Sequence, residues 1–180
     1  LHQGPYLAVW PLPLLTHICF RPTLHSLAEF FSWCLLKSDP ESMGLPGGTC
    51  AAWVAFHCHL DFSEFSDELD LVVARAGEAG VLHMLTICTR VTKFQQVREV
   101  AGRYKNMWCS VGIHPHNTDD EPEVSSDDLM TLADDPKVIA FGETGLDFYY
   151  DHSSRAQQER SFRAHISASR RLGLPVIVHT

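Results

Sequence analysis

From Ala52 onward the chain alternates short apolar runs with amphipathic helical stretches, and this rhythm restricts the fold more than any other feature. The runs are AWVAF (52–56), VLHMLTI (81–87), WCSVG (108–112), VIAFG (138–142) and PVIVHT (175–180). Four helical stretches fill the gaps. SDELDLVVARAGEAG has Ser66 as the expected N-cap and Gly80 just past its end. TKFQQVREVAGRY has Thr92 as the expected cap, with Phe94, Val97, Val100 and Ala101 on one face. SSDDLMTLAD is short, and SRAQQERSFRAHISASRRLG ends at Gly173. Strands that recur at this distance with a helix in each gap are joined by crossovers, so they run parallel. The fold class is therefore α/β, with about five parallel strands and four helices.

Residues 1–52 lack that rhythm. They carry six of the ten prolines, and Arg21, Lys37, Glu29, Asp39 and Glu41 are their only charges. The apolar stretch YLAVWPLPLL is a poor secretory leader because no basic segment precedes it and two prolines interrupt it. We expect an extension outside the native fold, poorly structured, preceding a unit that spans 53–180.

Composition narrows the function classes. No apolar run approaches the ~20 residues needed to cross a bilayer. Six cysteines at 19, 34, 50, 58, 88 and 109 form no C-x-x-C pair, which favours a reducing, cytoplasmic setting. A formal charge of −8 argues against a broad cationic footprint for duplex nucleic acid. It leaves open a nucleic-acid substrate held through bound cations, whose own charge dominates locally. No obligate protein partner is evident.

Chemistry in parallel α/β folds gathers at the carboxyl ends of the strands. The first run here ends in His57 and His59, the third in GIHPH with His114 and His116, the fourth in GETGLD with Glu143 and Asp147, and the fifth in His179. Metal-ligand residue types thus occupy four of five strand ends on one face of the sheet. Alternate residues of an extended segment project to one side, so His57 and His59 can reach one ion, and Cys58 between them belongs to the core. Glu143 can bridge two ions through its two oxygens, and His179 can serve the second. Such ligands suit zinc, manganese or magnesium. His83, His152 and His165 lie away from strand ends and are expected as surface or capping residues. Arg155, Arg160 and Arg163 are expected on a solvated helix face.

Taken in order, HCHLDF, VGIHPH, GETGLDFYYD and LPVIVHT resemble the TatD-type metal-dependent deoxyribonucleases of the amidohydrolase-like superfamily. The likeness covers 57–180, about the first half of that family's domain, and implies a partial TIM-type (β/α)8 barrel. It implies hydrolysis of DNA phosphodiester bonds, with a single-stranded substrate plausible, by two divalent metals (Mg, Mn or Zn). It also implies metal ligation by His57, His59, Glu143 and His179, with Glu143 as the bridge. Glu143 and His114 become the catalytic pair, and His114 and His116 contact substrate. Related superfamily members bridge their metals with a carboxylated lysine, where this chain has Glu143. The family places Asp-Ser before its H-x-H, where Ala55 and Phe56 stand here. It draws a further His from strand six and an Asp from strand eight, so the chain is expected to be an N-terminal part of such an enzyme. The alternatives are another metallohydrolase of the superfamily acting on a small ester or amide, and an inactive fragment that only binds metal.

Overall fold

The computed structural model describes residues 8–11, 53–150 and 152–180. Five strands form a parallel sheet: β2 (Trp53–Cys58), β3 (Val81–Thr86), β4 (Met107–Val111), β5 (Val138–Gly145) and β6 (Val176–His179). Four helices fill the crossovers: α1 (Leu69–Glu78), α2 (Phe94–Arg103), α3 (Ser126–Leu132) and α4 (Arg155–Leu172). A sixth strand, β1 (Ala8–Pro11), runs antiparallel along β2. The rest of the expected extension lies outside the described residues.

The strands lie side by side in the order of the chain. A doubly wound sheet reverses its order part-way and carries helices on both faces, whereas unbroken sequential order keeps every crossover on one face. The parallel strands accordingly form a curled half-barrel, the partial TIM-type barrel that the motifs implied.

Strand alternation separates two environments. Met107, Cys109 and Val111 of β4 pack with Val97 and Ala101 of α2 in the main apolar cluster, together with Leu129, Phe141 and Ala168. Each large apolar side chain buried there contributes roughly 1.5–3 kcal/mol. Ser110 points the other way. Its hydroxyl accepts from the Cys88 N–H (3.0 Å) and donates to the Gly142 carbonyl (2.5 Å), tying β3, β4 and β5 together beneath the strand ends. Thr86 does the same for β2, accepting from the Leu60 N–H at 3.1 Å.

Two expected caps move. Single 3-10 turns at Ser63–Phe65 and Val91–Lys93 precede α1 and α2, so the helices start at Leu69 and Phe94 without a side-chain cap. Ser66 instead bonds the Ser63 carbonyl, and Thr92 bonds Glu121 through both its N–H and its hydroxyl. At α3, Ser125 and Asp128 form a complete capping box. Gly80 and Gly173 follow their helices with positive φ. No helix among the described residues is long and apolar enough to cross a membrane.

Candidate metal centre

The site is built around β5. Glu143 is buried, and its backbone N–H donates to the Cys88 carbonyl at 2.8 Å. Glycines flank it for a steric reason. A Cβ on Gly142 would stand 2.5 Å from the Ile177 carbonyl oxygen, and one on Gly145 2.0 Å from that of His179, both at positive φ. Only glycine lets β6 approach this closely, and the approach brings His179 Nδ1 to 3.0 Å from Glu143 Oε1.

The two carboxylate oxygens of Glu143 face different histidines. Oε2 lies 3.5 Å from His57 Nε2 and 4.0 Å from His59 Nε2. Oε1 lies 3.0 Å from His179 Nδ1 and 3.9 Å from His114 Nε2. Among the described residues, every basic side chain within 4.0 Å of the Glu143 carboxylate is a histidine. Burial pushes this carboxyl up, but the His57 hydrogen bond and the charges of His114 and His57 outweigh it and hold the group at about 2. A buried carboxylate that has no Lys or Arg partner among the described residues and is ringed by imidazoles is a donor set that fits a divalent cation.

Hydrogen bonds fix how two of the rings present themselves. The Ile87 carbonyl can only accept, so His59 Nδ1 donates to it (3.3 Å) and His59 Nε2 turns a lone pair toward Glu143. His114 is opposite in kind. Its Nδ1 accepts the His116 N–H (3.2 Å), so Nε2 carries the proton and faces His179 Nδ1 at 3.1 Å. Burial lowers the His114 pKa to about 4, only partly opposed by Glu143. His59 is also pushed down, by burial and then by His57.

Among the described residues the donor atoms fall into three groups: His57, His59 and Glu143; His114, Glu143 and His179; and His116, Asp147 and His179. All the expected site residues therefore converge on one end of the sheet. The family model for TatD related DNases matches residues 55–180. The chain belongs to the TatD DNase family.

A protein of Salmonella typhimurium named 3'-5' ssDNA/RNA exonuclease TatD is 39% identical over 121 residues, covering 67% of this chain and 46% of that protein. The Escherichia coli K12 protein named uncharacterized metal-dependent hydrolase YcfH is 39% identical over 127 residues, covering 69% of this chain and 47% of its own length. Among solved structures, the TatD homolog YJJV of Escherichia coli K12 superposes with a TM-score of 0.64 at 30% identity, over 70% of this chain and 49% of that one. A TatD-family hydrolase of Entamoeba histolytica shares the fold, with a TM-score of 0.62 at 22% identity over 71% of this chain and 49% of its own. The chain spans about half the length of the curated relatives it matches.

Asp147 is tied into this cluster more fully than its place in the sequence indicated. Its Oδ2 lies 2.6 Å from His116 Nε2 and 3.3 Å from His179 Nε2, while its Oδ1 accepts the N–H groups of Tyr149 and Tyr150. The His116 bond, then the backbone bonds and that of His179, hold its carboxyl well below the usual range against the opposing effect of burial. Its spacing in GETGLD, four after Glu143, was the available signal.

Of the histidines assigned to surface or capping roles, His165 needs correction. His165 is fully buried on α4, where Nε2 accepts the Ile113 N–H (3.2 Å) and Nδ1 donates to the Ser161 carbonyl (2.7 Å). It therefore anchors the residue next to His114. His152 is exposed as expected, but its ring lies 4.7 Å from that of His116. His83 is half-buried on β3 beside Trp108. Cys58 is core, its thiol bonded to the Leu85 carbonyl and pushed up to about 12 by burial. Arg155, Arg160 and Arg163 are exposed.

Proposed function

We propose that the protein carrying this chain hydrolyses phosphodiester bonds of DNA with two divalent metal ions, in a reducing cytoplasmic compartment. The observation that carries this reading is the division of the two Glu143 oxygens between His57 and His59 on one side and His179 on the other. These four residues would hold the ions, which when bound activate a water, polarise the phosphoryl oxygens and stabilise the leaving oxygen. Magnesium, manganese and zinc all suit the donors.

The chain's own residues would divide the remaining work. Glu143 stays ionised, so both oxygens are available as acceptors. His59, oriented by the Ile87 carbonyl, offers an Nε2 lone pair to an ion. His114 offers an Nε2–H, which suits a phosphate oxygen of the substrate better than a cation, and makes it a catalytic group that touches substrate. His116, held by Asp147, stands beside it as a second substrate contact. The free, buried Cys58, Cys88 and Cys109 support a reducing compartment. The Salmonella typhimurium relative named as an ssDNA/RNA exonuclease supports a single-stranded substrate.

The test uses the full-length protein and E143Q. Metal content by elemental analysis, cleavage of labelled oligonucleotides and turnover of small esters and amides are measured in parallel. We expect E143Q to lose bound metal and at least about 100-fold in kcat/KM on DNA. Undiminished metal and DNA cleavage in E143Q would refute the bridging role. Turnover of esters or amides without DNA cleavage would replace the nuclease reading with the small-substrate one.

A further inference from the structure

The loop after β5 places a run of aromatic side chains at the mouth of the site. Tyr149 is 86% exposed and Tyr150 49%, unusual for rings of this size, and the two meet edge to face at 4.8 Å. The Tyr150 ring lies parallel to that of His152 (5.8 Å, 19°) and packs edge-on against His116 at 5.7 Å. His116 is itself 5.5 Å from His179, so the exposed tyrosine is one ring away from a candidate metal ligand.

Asp147 makes this surface part of the site's framework. The carboxylate whose Oδ2 holds His116 uses its Oδ1 to hold the backbone of Tyr149 and Tyr150. Rings with few rotatable bonds on an anchored turn lose little entropy when a flat partner covers them. The charge of −8 means that a nucleic acid gains little here from a general cationic field, so affinity must come from contacts of another kind.

We propose that Tyr149 and Tyr150 form a base-stacking subsite that seats the unpaired nucleobase next to the scissile phosphate. Stacking on a π-face is tolerant of base identity, so this subsite selects unpaired over paired nucleotides without reading sequence. The proposal rests on the nuclease reading and adds to it the element that grips the substrate.

The test compares the full-length protein with Y149A/Y150A and Y150F, using labelled single-stranded oligonucleotides that are intact or carry an abasic residue at the nucleotide next to the cleaved bond. We expect Y149A/Y150A to lose on the order of 10-fold in kcat/KM on the intact strand, mostly through KM, and Y150F, which keeps the ring, to lose less than the double variant. On the abasic strand, the wild type should fall by a similar factor and the double variant should fall little further. A structural disturbance would instead lower both substrates in proportion. Equal kcat/KM for wild type and Y149A/Y150A on the intact strand, or proportional losses on both strands, would overturn the subsite while leaving the nuclease reading intact. Absence of any oligonucleotide cleavage by the metal-loaded wild type would overturn both.

Discussion

Gln158 gives the sharpest quantitative test of how the site is supported. It is 1% exposed at the end of the first turn of α4, and its side chain satisfies three backbone groups at once. Oε1 accepts the Asp147 N–H at 2.8 Å, while Nε2 donates to the carbonyls of Asp147 (3.0 Å) and Ser153 (2.9 Å). Leucine has nearly the same volume, so Q158L keeps the packing and removes all three bonds. Three net bonds at roughly 0.5–1.5 kcal/mol each, with partners left buried, give a loss of about 2–4 kcal/mol. That is a large part of the ~5–15 kcal/mol that holds a domain folded. Urea unfolding of the full-length protein, followed by tryptophan fluorescence, should show the midpoint falling by roughly 1–2 M. Q158E separates the two kinds of bond. Its carboxylate still accepts from the Asp147 N–H but repels the two carbonyls, so this variant should recover stability on acidification as the new carboxyl gains a proton. A Q158L midpoint indistinguishable from wild type would refute the claim that the Asp147 turn is held from α4.

Two further predictions concern stability and pH. Burial holds the His165 imidazole down at about 4 against an ordinary 6.5, so the unfolded chain binds the extra proton first. The stability this group contributes is complete above pH 6.5 and drains away as pH falls toward 4. H165L should remove that acid-sensitive component and cost roughly 1–3 kcal/mol at neutral pH, because the Ile113 N–H loses its acceptor; pH-dependent unfolding curves measure both. S125A should cost about 1 kcal/mol in thermal unfolding by removing the α3 cap. It should also partly flatten the dependence below pH 3.8, because the Ser125 hydroxyl bond is the main cause depressing the Asp128 carboxyl, whose contribution is present above that value and lost as pH falls.

The main lines of this arrangement were legible in the chain because they depend on local periodicity. Apolar runs at regular intervals predicted the parallel strands, and the rule that chemistry collects at strand ends gathered His57, His59, His114, Glu143 and His179 before any distance was known. What escaped depends on contacts distant in sequence. His165 looks like any polar residue on an amphipathic helix, and only its meeting with Ile113 makes it a buried support. Asp147 became central because one carboxylate reaches His116, His179 and two backbone groups together. Ser66 and Thr92 fit the composition rule for N-caps, but that rule does not foresee a 3-10 turn that claims the residue first.

The sequential strand order also bears on synthesis. Each βα unit can pack on its predecessor as it leaves the ribosome, since no later strand must insert between earlier ones. His57 and His59 emerge first, His114 follows, and Glu143 arrives more than eighty residues after His57, roughly 4–17 s later at ordinary elongation rates. The buried Glu143 carboxylate thus enters a nest in which the imidazoles of His57, His59 and His114 are already present, and the His179 strand closes over it afterward.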